Sequence, residues 1–156
     1  MMAFGSVILP LCWVLATVAA MEGLAWLVHR YLLHGPLWWL HRTHHEPQRT
    51  WYEANDLVGL FYAALSAGLI IWTDLRSHPA LWVGIGIALY GVLYFLLHDV
   101  LVHQRLRWRV RPAWPYLQRL VRAHKLHHKH LHRQGAEAFG FLYAAPRYRL
   151  RAAKPR

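Results

Sequence analysis

Residues 3–28 form an apolar run whose only charged member is Glu22, and two further apolar runs follow at about 57–72 and 79–97. A helix that crosses a bilayer needs roughly 20 predominantly apolar residues. The first and third runs have that length; the second is short and must borrow flanking residues or tilt. No basic residue precedes the first run and no small-x-small cleavage site follows it, so it reads as a retained span rather than a signal peptide. Three such runs in 156 residues leave too little chain to cover them with a soluble shell. The expected fold is all-α: one membrane-embedded domain over residues 1–156, with about three transmembrane helices and a histidine-rich helical cap.

The remaining composition supports this division. Hydrophobic residues make up 56% of the chain, yet the formal charge is +11, which requires apolar and basic residues to be segregated. The link over 73–78 is short and polar, so the second and third spans are expected to form a hairpin. Segments 29–56 and 98–156 then share one side of the membrane. They hold all the histidines but His78, and 17 of the 18 Lys and Arg residues, Arg76 being the exception. By the positive-inside rule that side is cytoplasmic, which implies a multi-pass protein of the inner (cytoplasmic) membrane with its N-terminus outside. The basic tail over 133–156 has the charge of a nucleic-acid ligand, but it is juxtamembrane, where anionic headgroups attract such segments equally well. The expected contact is membrane lipid, with no nucleic acid.

Cys12 is the sole cysteine and lies in an apolar run, so neither a disulfide nor a thiolate cluster can form within the chain. The seven acids are Glu22, Glu46, Glu53, Asp56, Asp74, Asp99 and Glu137. Carboxylate-bridged di-iron bundles use Glu-x-x-His pairs, and this sequence has none. A metal here must be held mainly by imidazole.

Imidazole is abundant: 13 histidines. H-x-x-x-x-H (His29, His34) is followed by H-x-x-H-H (His41, His44, His45). The same two motifs recur as His98, His103 and then His124, His127, His128. Positions i, i+3 and i+4 share a helix face. After Pro115, which suits a first helical turn, Leu117, Leu120, Val121, His124, His127, His128 and Leu131 form one stripe, with Arg119, Arg122, Lys125, Lys129 and Arg133 off it. His34, Leu37, Trp38, His41, His44 and His45 form a second stripe beyond a bend at Gly35-Pro36. Ten inward imidazoles need partners, and metal supplies them. Ten nitrogens exceed one ion and suit two with about five each, leaving a position on each for oxygen or substrate. His78, His130 and His132 are read as bystanders.

Metal-bound histidines commonly donate their other N–H to a carboxylate or carbonyl. Asp99 adjoins His98; Glu53, Asn55 and Asp56 precede the second span; Glu22 lies one heptad before His29. These five are the candidate supporting groups. Trp38, Trp39, Trp51, Tyr52, Phe61, Tyr62, Tyr90, Tyr94 and Phe95 can line a lipid-facing opening or serve as interfacial belt residues.

With these motifs, the chain resembles the fatty-acid hydroxylase/sterol desaturase superfamily. Three further segments resemble its bacterial carotenoid branch: Asn55-Asp56-Leu57, the run from His98 to Arg105, and Phe139-Gly140-Phe141-Leu142-Tyr143-Ala144. The resemblance covers about residues 26–145. It implies a non-haem di-iron monooxygenase whose ten metal ligands map onto His29, His34, His41, His44, His45, His98, His103, His124, His127 and His128. It further implies O₂ as cosubstrate, ferredoxin and ferredoxin reductase as electron donors, and hydroxylation at C3 of the β-ionone rings of a carotenoid taken from the bilayer, converting β-carotene through β-cryptoxanthin to zeaxanthin. Two iron ions are expected, with zinc able to replace them in purified protein. Family members are usually drawn with about four membrane helices, against three here. Two alternatives share the sequence features: a hydroxylase or desaturase of fatty acyl chains or sterols, and a non-enzymatic membrane metal-binding protein.

Overall fold

The computed structural model describes residues 5–46, 52–73, 78–106 and 111–149. Trp51 and the end of the basic tail lie outside the described residues. The described residues contain helices and no strands.

Helix α1 (Gly5–Leu27) continues into a π-helical turn, Val28–Leu33. Helix α4 (Pro79–Tyr94) likewise continues into a π-helical segment, Phe95–Val102. The apolar stretches Val7–Leu33 and Pro79–Val102 hold 27 and 24 residues, about 40 and 36 Å at 1.5 Å per residue, enough for the ~30 Å hydrocarbon core. These two helices have the length and composition to cross a membrane. Helix α3 (Asp56–Trp72) is apolar but has 17 residues, about 25 Å.

Helix α4 packs between α1 and α3, and its glycines set the spacing. A Cβ on Gly86 would stand 2.6 Å from Thr17 Cβ on α1, and one on Gly84 would stand 2.9 Å from Ile70 Cγ1 on α3. Such close approach between small residues is how helices associate where lipid removes the hydrophobic driving force. The Ser66 hydroxyl adds a bond to the Gly84 carbonyl at 2.8 Å. The outward faces stay apolar: Val7, Ile8, Leu11 and Leu15 on α1, and Leu57, Leu60 and Phe61 on α3, are exposed. A contiguous apolar surface of this extent is suited to lipid rather than water.

One end of this bundle is capped by α2 (Trp38–His45), α5 (Pro115–His127), the loop that follows α5 and a 3₁₀ turn at Pro146–Tyr148. Leu120, Ala123, Ala144 and Tyr148 form the small core of the cap. Two expected stripes are shorter than the sequence suggested. Helix α5 stops at His127, with His128 at its C-cap, and Leu131 lies beyond it, exposed. The chain there turns so that carbonyls face the histidines. His34 is not on α2; it ends the first π-helical turn. The chain then turns at Gly35, where a Cβ would collide with the Tyr31 carbonyl oxygen.

Candidate metal centres

The π-helical turns explain the H-x-x-x-x-H spacing. In an α-helix, residues i and i+5 stand about 140° apart. Here the N–H of His34 donates to the His29 carbonyl at 3.0 Å, and that of His103 to the His98 carbonyl at 2.9 Å. The widened i→i+5 turn brings both rings of each pair to one site, a use of π-bulges common at functional positions.

The ten motif histidines converge in two groups of five. One comprises His29, His34, His41, His45 and His127; the other comprises His44, His98, His103, His124 and His128. Within each group, one nitrogen per ring lies within 4.8 Å of all the others. The H-x-x-H-H motifs are crossed. On α2, His41 and His45 share the first group while His44 faces the second. At the end of α5, His124 and His128 share the second while His127 faces the first. Spacings of i and i+4 stay on one side, and the residue between them reaches across, so the groups interlock. His45 stacks on His128 across the boundary, ring centres 4.5 Å apart.

The nitrogen spacing fits a metal ion. Metal–imidazole bonds of about 2.1 Å place ligands at right angles about 3.0 Å apart and opposed ligands about 4.2 Å apart. The Nε2 separations in the first group are 3.0 Å (His29–His41), 3.2 Å (His34–His127) and 3.2 Å (His41–His45). In the second they are 3.0 Å (His44–His98), 3.2 Å (His103–His124) and 2.9 Å (His124–His128).

The opposite ring edges fix the tautomers. In the first group every Nδ1 donates to an acceptor: His29 to the Phe139 carbonyl at 2.9 Å, His34 to that of Arg133 at 3.0 Å and His45 to that of His130 at 2.9 Å. His127 donates to the Glu137 carbonyl at 2.8 Å and His41 to Asn55 Oδ1 at 2.7 Å. In the second group, His44 donates to Glu53 Oε2 at 2.8 Å and His98 to Asp99 Oδ1 at 2.9 Å. A backbone carbonyl only accepts, so Nδ1 carries the proton and Nε2 points inward as a bare lone pair. Lone pairs facing one another at ~3 Å call for a cation. Burial keeps the rings neutral, holding His41 at about 3, His45 and His103 at about 4 and His127 at about 2; His44, His124 and His128 are also held well below the usual imidazole range, by burial first.

Three of the candidate supporting groups, Asn55, Glu53 and Asp99, therefore touch motif histidines. Asp56 instead pairs with Arg105, at 2.8 and 3.0 Å. Arg105 also lies 3.6 Å from Glu53 and 3.7 Å from Asp99, so one guanidinium balances the carboxylates behind His44 and His98. Glu22 turns to the loop over 141–143. Sequence reasoning gave Arg105 no role of its own; it entered only as the last residue of the run from His98. It also missed the four carbonyls, which carry no side-chain signal. Ala138, between two of them, adopts a left-handed φ of 61°, a strained geometry of the kind found beside functional sites. Among the bystanders, His78 caps α4, and His130 and His132 are exposed.

A cavity of about 710 Å³ runs between α1, α3 and α4 and ends at His29, His41 and His98; Met21, Tyr62, Ile70, Ile87, Tyr90 and Tyr94 line its walls. Of the aromatics singled out from sequence, Tyr62, Tyr90, Tyr94 and Phe95 line this cavity, while Trp39, Tyr52 and Phe61 are exposed.

The fatty acid hydroxylase family model matches residues 14–145. The chain belongs to the fatty acid hydroxylase family. Among curated relatives, a protein of Pantoea ananas named "Beta-carotene hydroxylase" is 45% identical over 89% of this chain and 79% of its own length. A protein of the same name from Paracoccus sp. (strain N81106 / MBIC 01143) is 44% identical over 85% of this chain and 83% of its own. The "Beta-carotene 3-hydroxylase 2, chloroplastic" of Arabidopsis thaliana is 37% identical over 69% of this chain and 37% of its own length. No solved structure matches the chain. The matched region takes in all ten motif histidines, so this hydroxylase-family chain carries its histidine groups within the shared segment.

Proposed function

We propose that this chain is a carotenoid hydroxylase that uses two iron ions and O₂ to hydroxylate C3 of β-ionone rings, carrying β-carotene through β-cryptoxanthin to zeaxanthin. The observation that carries the reading is the meeting of two sets of five imidazole nitrogens with one end of a lipid-level apolar cavity. Each group of five imidazoles would hold one ion and leave room on it for oxygen. Zinc fits such nitrogens too but is redox-inert, which favours iron as the working metal. The carotenoid substrate is supported by the names of relatives at 44–45% identity.

When bound, the iron pair supplies oxygen activation. The reaction balances as one C–H bond, one O₂, two electrons and two protons giving one C–OH and one water. The chain's own residues do the rest. The carbonyls, Asn55, Glu53 and Asp99 hold the rings of His29, His34, His41, His44, His45, His98 and His127 in the Nδ1–H tautomer, and Arg105 keeps the carboxylates Glu53 and Asp99 charge-balanced. The cavity, of a size typical for small-molecule sites, admits an apolar ring and excludes water from the C–H to be attacked.

The proposed topology has three spans, with α3 as the third, in the inner membrane and with the histidine cap on the cytoplasmic side. Lys and Arg crowd the cap segments. The outer face of α5 carries exposed Arg122 and Lys125, with Lys129 just beyond, while its inner face supplies histidines to both groups. An acidic donor protein on that face would lie about one helix width, 10–12 Å, from both groups, which supports ferredoxin and its reductase as the electron source. The test is expression in β-carotene-producing cells with pigment analysis: zeaxanthin should accumulate aerobically and not anaerobically, and unchanged β-carotene with oxygen and iron present would refute the proposal.

A further inference from the structure

The loop over 139–143 is gripped by a carboxylate that sits within a membrane-length helix. Glu22, half-buried on α1, accepts three consecutive backbone N–H groups on Oε1, those of Phe141, Leu142 and Tyr143, each at 3.0 Å. Its Oε2 accepts the Tyr90 hydroxyl from α4 at 2.9 Å. A carboxyl group at membrane depth is costly unless its oxygens are hydrogen-bonded in this way. Gly140 completes the grip, because a Cβ there would lie 2.7 Å from Glu22 Oε1.

The grip presents the Phe141 ring. It lies parallel to His29, 5.2 Å away at 7°, and meets Tyr94 at 4.8 Å and His98 at 5.2 Å edge-on. His124 is 5.9 Å away. His29 belongs to one nitrogen group, and His98 and His124 belong to the other. Phe141 and Tyr90 also line the 710 Å³ cavity. One aromatic ring therefore stands where the cavity meets both groups, and its backbone is tied to Glu22.

We propose that Glu22 is a positioning residue: by fixing Phe141 at the cavity end, it sets which carbon of the substrate ring is offered for hydroxylation. This rests on the hydroxylase reading above. Loss of the grip frees the loop, the ring shifts, and the substrate seats in more than one register. Displacement of reacting atoms by about 1 Å costs roughly 100-fold in rate, so even a small shift changes the ratio of products. A glutamine at position 22 keeps an oxygen for the three N–H groups, so geometry rather than charge is what the device needs.

The experiment compares Glu22→Ala, Glu22→Gln, Gly140→Ala and Phe141→Leu in the full-length, iron-loaded protein in membranes. It measures iron per chain, product per O₂ consumed and the position of the new hydroxyl. The metal-free protein gives a second readout, the visible circular dichroism induced in bound β-carotene. Glu22→Ala, Gly140→Ala and Phe141→Leu should keep their iron. Each should make C3 product about 10- to 100-fold less efficiently per O₂, yield hydroxyls at other ring carbons and alter the dichroism. Glu22→Gln should stay close to wild type in all respects. Phe141→Leu leaves the carboxylate untouched, so it keeps the test open if Glu22→Ala fails to insert. Unchanged hydroxyl position and coupling in Gly140→Ala and Phe141→Leu overturn the proposal, as does a Glu22→Gln protein as impaired as Glu22→Ala. A wild-type protein that binds iron and makes no hydroxylated carotenoid refutes the hydroxylase reading instead.

Discussion

Removing His41 and His44, neighbours on one helix, should damage different metal sites, while removing His44 and His98, far apart in sequence, should damage the same one. His44 and His98 are 54 residues apart, with Nε2 atoms 3.0 Å from each other. His41 and His44 are one helical turn apart but belong to different groups. Four-ligand zinc sites have apparent binding free energies of about 10–16 kcal/mol, or roughly 3 kcal/mol per ligand. At 1.4 kcal/mol per tenfold, one lost ligand weakens its site by about 100-fold. A chelator poised inside that window empties the damaged group and leaves the intact one full. Wild type should then hold two ions per chain, and His44→Ala, His98→Ala and His41→Ala should hold about one each. The His44→Ala/His98→Ala double variant should still hold about one, because both changes fall on one site, whereas His41→Ala/His44→Ala should hold about none. Elemental analysis on membrane-inserted protein reads the result. A same-group double variant with no metal, or a cross-group one retaining an ion, would refute the crossed arrangement.

Further outcomes follow from the same geometry. Asn55→Leu should weaken metal binding at the His41 group alone, and Glu53→Ala at the His44 group alone, each by 10- to 100-fold, read by chelator titration. The thermal midpoint of the metal-free protein should fall as pH drops from about 6.5 toward 4: the unfolded chain takes up protons near 6.5, while the folded one holds His45 and His103 neutral down to about 4 and His41 to about 3. The stability these rings contribute is thus complete above 6.5 and lost through that window. Gly86→Leu, driven into Thr17, should destabilise the helix bundle by about 1–3 kcal/mol, seen as faster inactivation in detergent. His78→Ala and His132→Ala should keep most activity, since neither ring belongs to a nitrogen group.

The sequence displayed the motif histidines more clearly than their wiring. Ten histidines in repeated motifs were legible because imidazole at i, i+3 and i+4 of a stripe has few other uses. Their division into two groups of five agrees with the coordination arithmetic. The crossing of His44 and His127 was not, because i+3 and i+4 neighbours look equivalent until the partner helices are in place. The pairing of His29 with His34 depended on π-helical turns, which propensity does not announce. The apolar runs gave α1, α3 and α4 nearly to their ends, since lipid-facing helices need only length and hydrophobicity. The end of α5 was overrun because His128 and Leu131 keep the helical period while the backbone departs to deliver carbonyls to His45 and His34. Glu22 stood out as a charge in an apolar run, but apart from the Tyr90 hydroxyl its partners are backbone N–H groups about 120 residues away in sequence, and no residue type marks those.

Isotope tracing under labelled oxygen reads the origin of the hydroxyl oxygen. Purified full-length protein, loaded with iron and returned to lipid with β-carotene and a ferredoxin-based reducing system, should be given ¹⁸O₂. Zeaxanthin should form with one labelled oxygen in each 3-hydroxyl group, with no product from the metal-free protein and none without reductant. Unlabelled hydroxyl oxygen, or equal product from metal-free protein, would contradict an iron-dependent oxygenase built on these two groups of histidines.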